Sequence, residues 1–102
     1  MNLIKLSTDD GESLDRVVPA YLEFILGCSS VEDDPKKELA SYVVGMGAYY
    51  CSDVFAIDVA GKKSSSGLVT VCFDGSKITV EDLFVKKEMR KRGIGRMAID
   101  AL

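Results

Sequence analysis

Histidine is absent from this chain of 102 residues, and cysteine is scarce. Without an imidazole, no Ser-His or Cys-His catalytic pair can form, and the usual ligand set of a zinc site is missing. The three cysteines, Cys28, Cys51 and Cys72, are odd in number and show no C-x-x-C spacing. The sequence therefore predicts no disulfide framework and no metal site, and we interpret each cysteine as a small buried hydrophobic residue.

Long apolar runs are missing too, and none approaches the length that crosses a bilayer. Residues 1–7 lack the basic start, the apolar middle and the small-residue cleavage site of a secretory signal. Hydrophobic residues make up 47% and charged residues 28% of the chain, a balance typical of soluble globular proteins. We therefore expect one cytoplasmic domain, residues 1–102, with a single modest core and no membrane contact.

Positive charge is concentrated in one short segment. Residues 86–96 carry a net charge of +5, which leaves −8 for the remainder of the chain. The six basic residues of the segment are Lys86, Lys87, Arg90, Lys91, Arg92 and Arg96. Either an anionic ligand binds here, or the segment is a solvated face at the start of a helix, which is the usual meaning of a charge run. Nucleic acid is disfavoured as a partner, because the chain is acidic overall and no aromatic residue interleaves the basic ones.

Apolar spacing predicts a helix after a short strand at residues 2–6 and a turn at residues 8–12. Gly27 supplies a stop for this helix. Pro19 lies inside the pattern, so the helix either kinks there or begins there. The apolar stripe consists of Leu14, Val17, Val18, Tyr21, Leu22 and Ile25.

A second helix is predicted from Asp34-Pro35, an N-cap followed by proline at the first helical position. Its expected apolar face consists of Leu39, Val43, Met46 and Tyr50. Strands are predicted at residues 54–60, 67–73 and 77–85, and the last two are joined by a tight turn at Asp74-Gly75. A basic loop at residues 90–95 then leads into a helix from Ile94 to Leu102. The order is strand, helix, helix, three antiparallel strands, helix, which is an α+β fold.

The glycines of the basic loop superficially fit the dinucleotide fingerprint G-x-G-x-x-G/A. That fingerprint requires the glycines in a turn directly after a strand, with an acidic residue about 20 positions further on. Here the strand ends near Val85, well before Gly93, and no such acid follows. The context therefore excludes a Rossmann site, and the lack of a following G-K-[S/T] excludes a Walker loop.

Residues 85–95, with the sequence V-K-K-E-M-R-K-R-G-I-G, resemble the acetyl-coenzyme A signature of the GNAT family, the GCN5-related N-acetyltransferases. In that signature a valine ends the fourth strand and R/Q-x-x-G-x-G/A opens a helix. Glycines let backbone N–H groups converge on a pyrophosphate, and flanking basic side chains add charge. The element order also resembles the family's mixed, mostly antiparallel sheet.

The resemblance implies acetyl-CoA as cofactor and transfer of an acetyl group to a primary amine, on a small molecule or a protein. It implies that the backbone of Phe84 and Val85 pairs with the pantetheine arm. It also implies a pyrophosphate loop lined by Arg90, Lys91, Arg92, Gly93, Ile94, Gly95 and Arg96. A truncated relative that binds acyl-CoA without catalysis is the alternative.

The candidate catalytic acids are Glu81 and Asp82, in the run E-D-L-F-V that also occurs in small-amine acetyltransferases of the family. Strict alternation along a strand would place Glu81 with Leu83 and Asp82 with Val80 and Phe84, so only one acid faces the substrate. We favour Glu81 as the base that deprotonates the amine and Asp82 as a substrate-side or structural acid. The alternative is a solvated carboxylate with no role.

Compared with the family, the chain covers the fold through the third helix and lacks the fifth strand, the fourth helix and the strands that follow. None of the tyrosines, all upstream, maps onto the family's usual proton donor to the thiolate. The strand at residues 77–85 is therefore expected to be an exposed apolar edge. From this we predict a homodimer or another assembly that completes the sheet.

Overall fold

The computed structural model describes residues 1–26 and 34–102. The described elements run in the predicted order: β1 Asn2–Lys5, α1 Gly11–Leu26, α2 Pro35–Tyr50, β2 Ser52–Asp58, β3 Gly67–Asp74, β4 Lys77–Val85, a single 3-10 turn at Lys87–Met89, and α3 Ile94–Asp100. The predicted α+β fold class is confirmed. Gly27 and Cys28, on which two of the sequence predictions fall, lie outside the described residues.

The four strands form one antiparallel sheet in the order β1-β2-β3-β4. Asp74 pairs with Lys77, so the two residues of the hairpin loop are Gly75 and Ser76, one position later than predicted. Gly75 has φ +60°, in the left-handed region that a two-residue hairpin loop requires. Strand β4 pairs with β3 alone in the described part of the chain, so the predicted sheet edge is confirmed.

Helix α1 begins at Gly11, so a start at Pro19 is wrong, and the helix continues through the proline. Its start is capped by Asp10, whose carboxylate accepts hydrogen bonds from the Ser13 amide at 3.2 Å and the Ser13 hydroxyl at 2.7 Å. These bonds favour the charged carboxylate, and they hold the pKa of Asp10 below its ordinary value. The cap fixes where the chain leaves the turn after β1.

Helix α2 begins as the sequence predicted. The Asp34 carboxylate accepts a hydrogen bond from the Lys37 amide at 3.1 Å, and Pro35 occupies the first helical position. The predicted apolar face is wrong at Tyr50, the last residue of the helix, which is 60% exposed; Tyr42, which was not predicted, contacts Thr70 on the sheet. The helix ends at Tyr50, and its C-cap Cys51 has a left-handed backbone. Cys51 is exposed and Cys72 is only partly buried, so the expectation of a buried thiol is wrong at Cys51 and holds only in part at Cys72.

The sheet carries a hydrophobic cluster on each face. Helices α1 and α2 cover one face, and the cluster there includes Leu14, Val17, Tyr21, Leu39, Val54, Ala56 and Leu68. The 3-10 turn and α3 cover part of the other face, with Ile57, Val69, Val71, Met89, Ile94 and Ala98. Strand β3 is therefore buried on both sides over most of its length, which explains its continuous apolar sequence. None of the described helices is long and apolar enough to span a membrane.

The first residue of β3, Gly67, lies close to the backbone of β4. A Cβ at Gly67 would overlap the carbonyl oxygen of Phe84 on β4. We expect Gly67→Ala to lower the free energy of unfolding by about 1–3 kcal/mol, because the β3 and β4 backbones must separate. Urea unfolding measures the effect.

The matched control is Gly45→Ala in α2, where a Cβ meets open space. This substitution is expected to stabilise the protein by about 0.5–1 kcal/mol, since alanine is the better helix former. Equal effects of the two changes would contradict the close approach at Gly67.

Candidate functional site

The open edge of β4 presents backbone groups at alternate residues. The Lys86 amide donates to the Ser66 carbonyl at 2.8 Å, so these residues form a hydrogen-bonded pair of the antiparallel ladder. In such a ladder hydrogen-bonded pairs alternate with non-bonded ones. The backbone N–H and C=O of Phe84 therefore face its partner Leu68 on β3. Those of Leu83 and Val85 face outward, away from the sheet.

Arg90 confirms this orientation. Its Nε donates to the Val85 carbonyl oxygen at 2.8 Å, and its guanidinium lies 5.3 Å from the centroid of the Phe84 ring. The sequence analysis named Phe84 and Val85 as backbone partners of a ligand; in the ladder the backbone groups of Phe84 pair with β3, and the outward ones are those of Leu83 and Val85.

The loop between the 3-10 turn and α3 has two residues in left-handed conformation. Lys91 has φ 63°, and Gly93, the N-cap of α3, has φ 73°. A Cβ at Gly93 would point into open space, so the backbone of this loop is accessible from that side. The Gly93 carbonyl accepts from the Met97 amide at 2.9 Å, which starts the helix.

Helix α3 holds the loop against the end of β4. A Cβ at Gly95 would lie 3.6 Å from the Leu83 side chain and 3.8 Å from that of Val85, so the helix and the strand are in close contact there. Ile94 is only 3% exposed, and its side chain belongs to the core. Of the residues predicted to line a phosphate loop, Ile94 can therefore contribute its backbone alone.

Most of the basic side chains of this segment are unpaired. Lys86 forms an ion pair with Glu88 at 3.1 Å. Lys91, Arg92 and Arg96 are exposed and form no direct ion pair within the described ranges. The Lys86 ammonium, and secondarily Lys62 and Arg92, hold the pKa of the Glu88 carboxyl below its ordinary value. The potential around the loop is therefore positive, as the sequence indicated.

A β-bulge in β4 separates the two candidate acids. Thr70 pairs with Asp82, whereas the next residue of β3, Val71, pairs with Val80, which leaves Glu81 as the extra residue. Asp82 therefore shares the helix-covered face with Phe84, and Val80 lies on the opposite face. The prediction that Asp82 and Val80 share a face is wrong, because simple alternation ignores the bulge.

Asp82 belongs to a partly buried hydrogen-bonded group. The Tyr42 hydroxyl lies 2.8 Å from the Asp82 carboxylate, to which it donates, and 2.8 Å from the Thr70 hydroxyl. Glu81 is exposed, and its side chain forms no hydrogen bond or ion pair with the described residues. The structure thus distinguishes a fixed acid on the helix side from a free acid at the bulge.

Aromatic rings surround this group on the helix side of the sheet. Phe24 lies 5.4 Å from Phe84 between ring centroids, and Tyr42 lies 5.8 Å from Tyr21. The Tyr21 hydroxyl donates weakly to one carboxylate oxygen of Glu38 at 3.4 Å. The other oxygen of Glu38 is buried without a partner among the described residues.

Sequence reasoning missed Glu38, Tyr42 and Thr70. The available signal was the spacing of Leu39, Tyr42 and Met46, which lie at positions i, i+3 and i+7 of one helix face.

Both inward tyrosines keep their hydroxyl protons at neutral pH. Burial, followed by the Glu38 carboxylate, raises the pKa of Tyr21 to about 12. Burial also raises the pKa of Tyr42, and the Asp82 carboxylate adds to that rise while the Thr70 hydroxyl opposes it. The phenols therefore stay protonated and leave the carboxylates as acceptors.

No protein-family model matches this chain, and no curated protein matches it. Its structure is similar to the crystal structure of a point mutant of the BH1408 protein from Bacillus halodurans, with a TM-score of 0.51. The match covers 99% of this chain and 71% of that chain, at 14% sequence identity. At this identity the likeness shows the fold alone.

The raised phenol pKa values predict an alkaline loss of stability. An unfolded tyrosine has a pKa of about 10, below the value of about 12 for folded Tyr21. The phenol of Tyr21 therefore stabilises the folded state fully below pH 10, and this stabilisation is lost as the pH rises toward 12. Tyr42 acts in the same direction. Thermal melts of the wild type from pH 8 to pH 12 should show this fall.

Tyr42→Phe is expected to melt at a lower temperature at pH 8, because Asp82 loses its donor, and to fall less between pH 10 and 12. Tyr49→Phe is the matched control, since Tyr49 is 84% exposed, and it should follow the wild type. An alkaline fall of equal size in all three proteins would rule out the buried phenols as its cause.

Proposed function

We propose that this protein is an N-acetyltransferase that moves an acetyl group from acetyl-CoA to a primary amine. The observation that carries the proposal is the junction of the β4 edge with the basic loop. There the outward backbone groups of Leu83 and Val85 lie next to an accessible, positively charged loop that opens α3. The motif at residues 85–95 resembles the GNAT signature at the same place.

The cofactor side of this proposal uses backbone groups first. The amides of a pantetheine arm are donors and acceptors of the kind that the Leu83 carbonyl and the Val85 backbone offer to a neighbouring strand. Arg90 currently bonds the Val85 carbonyl, so it is expected to swing toward the pyrophosphate when the arm binds. Lys91, Arg92 and Arg96 are the unpaired cations available to the diphosphate.

The acceptor side of the proposal lies on the helix-covered face and at the bulge. An ammonium must lose a proton before its nitrogen can attack a thioester. Glu81 is the free carboxylate at this position and is proposed as the base, while Asp82 is held by Tyr42 and orients the substrate. The outward N–H of Leu83 is the proposed donor to the developing oxyanion. The buried, unpartnered oxygen of Glu38 adds negative charge that suits a cationic acceptor.

Cofactor binding can be tested by titration calorimetry of the chain with acetyl-CoA and with desulfo-CoA. We expect saturable binding by the wild type and a loss of at least about ten-fold in Gly93→Val, because the side chain intrudes on the accessible loop and opposes φ 73°. Gly75→Val is the matched control, since Gly75 also has positive φ and open space around it but lies at the far end of β4.

Two results would count against the proposed cofactor site. Absence of heat at millimolar acetyl-CoA and desulfo-CoA rules out both catalysis and simple acyl-CoA binding. Equal affinity of Gly93→Val and Gly75→Val for acetyl-CoA places any binding elsewhere in the chain.

A second candidate function is an acyl-CoA-binding module without catalysis. The hydrogen bond from Tyr42 to Asp82 favours this function, because it gives one of the two acids of β4 a structural role. Thiol release separates the two functions when the wild type is supplied with acetyl-CoA and a panel of polyamines, aminoglycosides and peptide amines. Binding without release of free CoA identifies the module.

If thiol is released, Glu81→Gln should lower kcat by about 100-fold or more while leaving acetyl-CoA affinity unchanged, the range expected for loss of a general base. Glu12→Gln, which changes an exposed acid at the start of α1, is the matched control. A kcat for Glu81→Gln within two-fold of the control would remove Glu81 from the proposed mechanism.

The expected homodimer or other sheet-completing assembly stays a prediction. Its geometry is constrained by the proposed cofactor site, because one backbone group cannot pair with two partners. The outward groups of Leu83 and Val85 would serve the cofactor, which leaves those of Ile78 and Val80 for a pairing strand. A cytoplasmic location also stays a prediction.

A further inference from the structure

A small cavity lies between the β2–β3 connection and the 3-10 turn that follows β4. Its volume is about 70 Å³. One water needs roughly 10–15 Å³ of such space, so the cavity is large enough for a small polyatomic ion with part of its hydration. The lining includes Lys62, Lys63, Ser64, Ser66, Lys86 and Glu88. Lys86 and Glu88 belong to the GNAT-like motif at residues 85–95, whereas the other four residues come from the β2–β3 connection.

The walls of the cavity are held from three sides. Arg16 of α1 donates to the Lys63 carbonyl at 2.8 Å and to the Asp58 carboxylate at 3.1 Å. The Ser65 hydroxyl also donates to Asp58, at 2.6 Å, and its amide donates to the Arg16 carbonyl at 3.0 Å. The connection is thereby tied to α1 and to β2. The bond between Lys86 and Ser66 ties it to β4.

Two hydroxyls in the wall, those of Ser64 and Ser66, have no hydrogen-bond partner among the described residues, and Ser66 is the buried one. Four polar residues are buried in the described part of the chain, namely Ser52, Ser65, Ser66 and Thr70. Three of them use their hydroxyls: Ser52 with the Tyr50 carbonyl, Ser65 with Asp58 and Thr70 with Tyr42. Ser66 is only 2% exposed, lines the cavity, and forms no side-chain hydrogen bond with any described residue. The Ser66 hydroxyl keeps access to solvent through the cavity, so it is available to donate to a species bound there.

The charge around the cavity is positive. Three lysines face one acid, and they come from two separate loops. The Lys86 side chain is 14% exposed, whereas that of its partner Glu88 is 69% exposed, so the acid can leave while the ammonium stays. Lys86 and Lys62 both contribute to the lowered pKa of the Glu88 carboxyl, which shows that a negative charge at this mouth is stabilised.

We propose that this cavity binds a phosphate dianion, either as inorganic phosphate or as a phosphomonoester group of a larger ligand. The Ser66 and Ser64 hydroxyls donate to its oxygens, and Lys62, Lys63 and Lys86 neutralise its charge. Glu88 occupies the mouth when the cavity is empty and turns into solvent when the anion enters. The inference does not depend on the proposed acetyl transfer.

The test uses inorganic phosphate as the probe, titrated into the whole chain by calorimetry at constant ionic strength with potassium chloride. We expect saturable binding that weakens about ten-fold in Ser66→Ala, the loss of one charge-assisted hydrogen bond. Ser52→Ala is the matched control, because Ser52 is also 2% exposed but bonds within the chain. Circular dichroism and thermal melts confirm that both variants are folded.

The charge contribution is tested in parallel. Lys62→Gln should weaken phosphate binding, and Lys91→Gln, which removes an equal charge from the α3 loop, should leave it within two-fold of the wild type. Glu88→Gln should strengthen binding by removing the competing carboxylate. Lack of saturable phosphate binding overturns the proposal, and so does equal affinity of Ser66→Ala and Ser52→Ala.

Two further titrations identify the source of the phosphate and keep this inference separate from the proposed function. If the affinity for adenosine 3′,5′-bisphosphate falls in Ser66→Ala and the affinity for ADP does not, the cavity binds the phosphomonoester group of a nucleotide. If only the affinity for inorganic phosphate falls in Ser66→Ala, the cavity binds the free ion. Inorganic phosphate binding that is lost in Gly93→Val but kept in Ser66→Ala places the anion at the α3 loop and refutes the cavity site.

Discussion

The pairing of β3 with β4 determines where every candidate functional group lies. Gly67 allows the two backbones to meet closely at one end, and the two-residue loop at Gly75-Ser76 closes the other. Between these fixed ends the strands differ by one residue, and the bulge at Glu81 absorbs the difference. That single insertion places Asp82 under the helices and turns the backbone of Leu83 and Val85 to the open edge.

The two sides of the sheet end have opposite electrostatic character. Basic side chains cluster in the loops that connect β2 to β3 and β4 to α3, while Glu38, Glu81 and Asp82 lie on or beside the helix-covered face. An anionic ligand and a cationic one would therefore approach β4 from different directions. The proposed pair of an anionic cofactor and a cationic amine suits such a junction, because each ligand meets the charge that favours it.

Because they are partly or fully buried, the hydrogen bonds among Tyr42, Thr70 and Asp82 contribute to the stability of the fold. Thr70 is fully buried, and the raised pKa of Tyr42 keeps its proton on the phenol, so the Asp82 carboxylate has a lasting donor. Unpairing any member would leave a polar group without water, at a cost of about 1–3 kcal/mol. The network therefore fixes α2 against β4, and it fixes the side of the strand on which an acceptor would bind.

Local chemistry in the sequence determined the order of the elements, the N-cap at Asp34, the bounds of β4 and the positive charge of residues 86–96, because each depends on neighbours a few positions apart. Only the tertiary structure decided the bulge at Glu81, the outward backbone of Leu83, the contact of Tyr42 with Asp82 and the cavity at Ser66. Each of these depends on residues that are about ten to forty positions apart in the chain. Their geometry is set by register and by packing across the sheet, which no local pattern records.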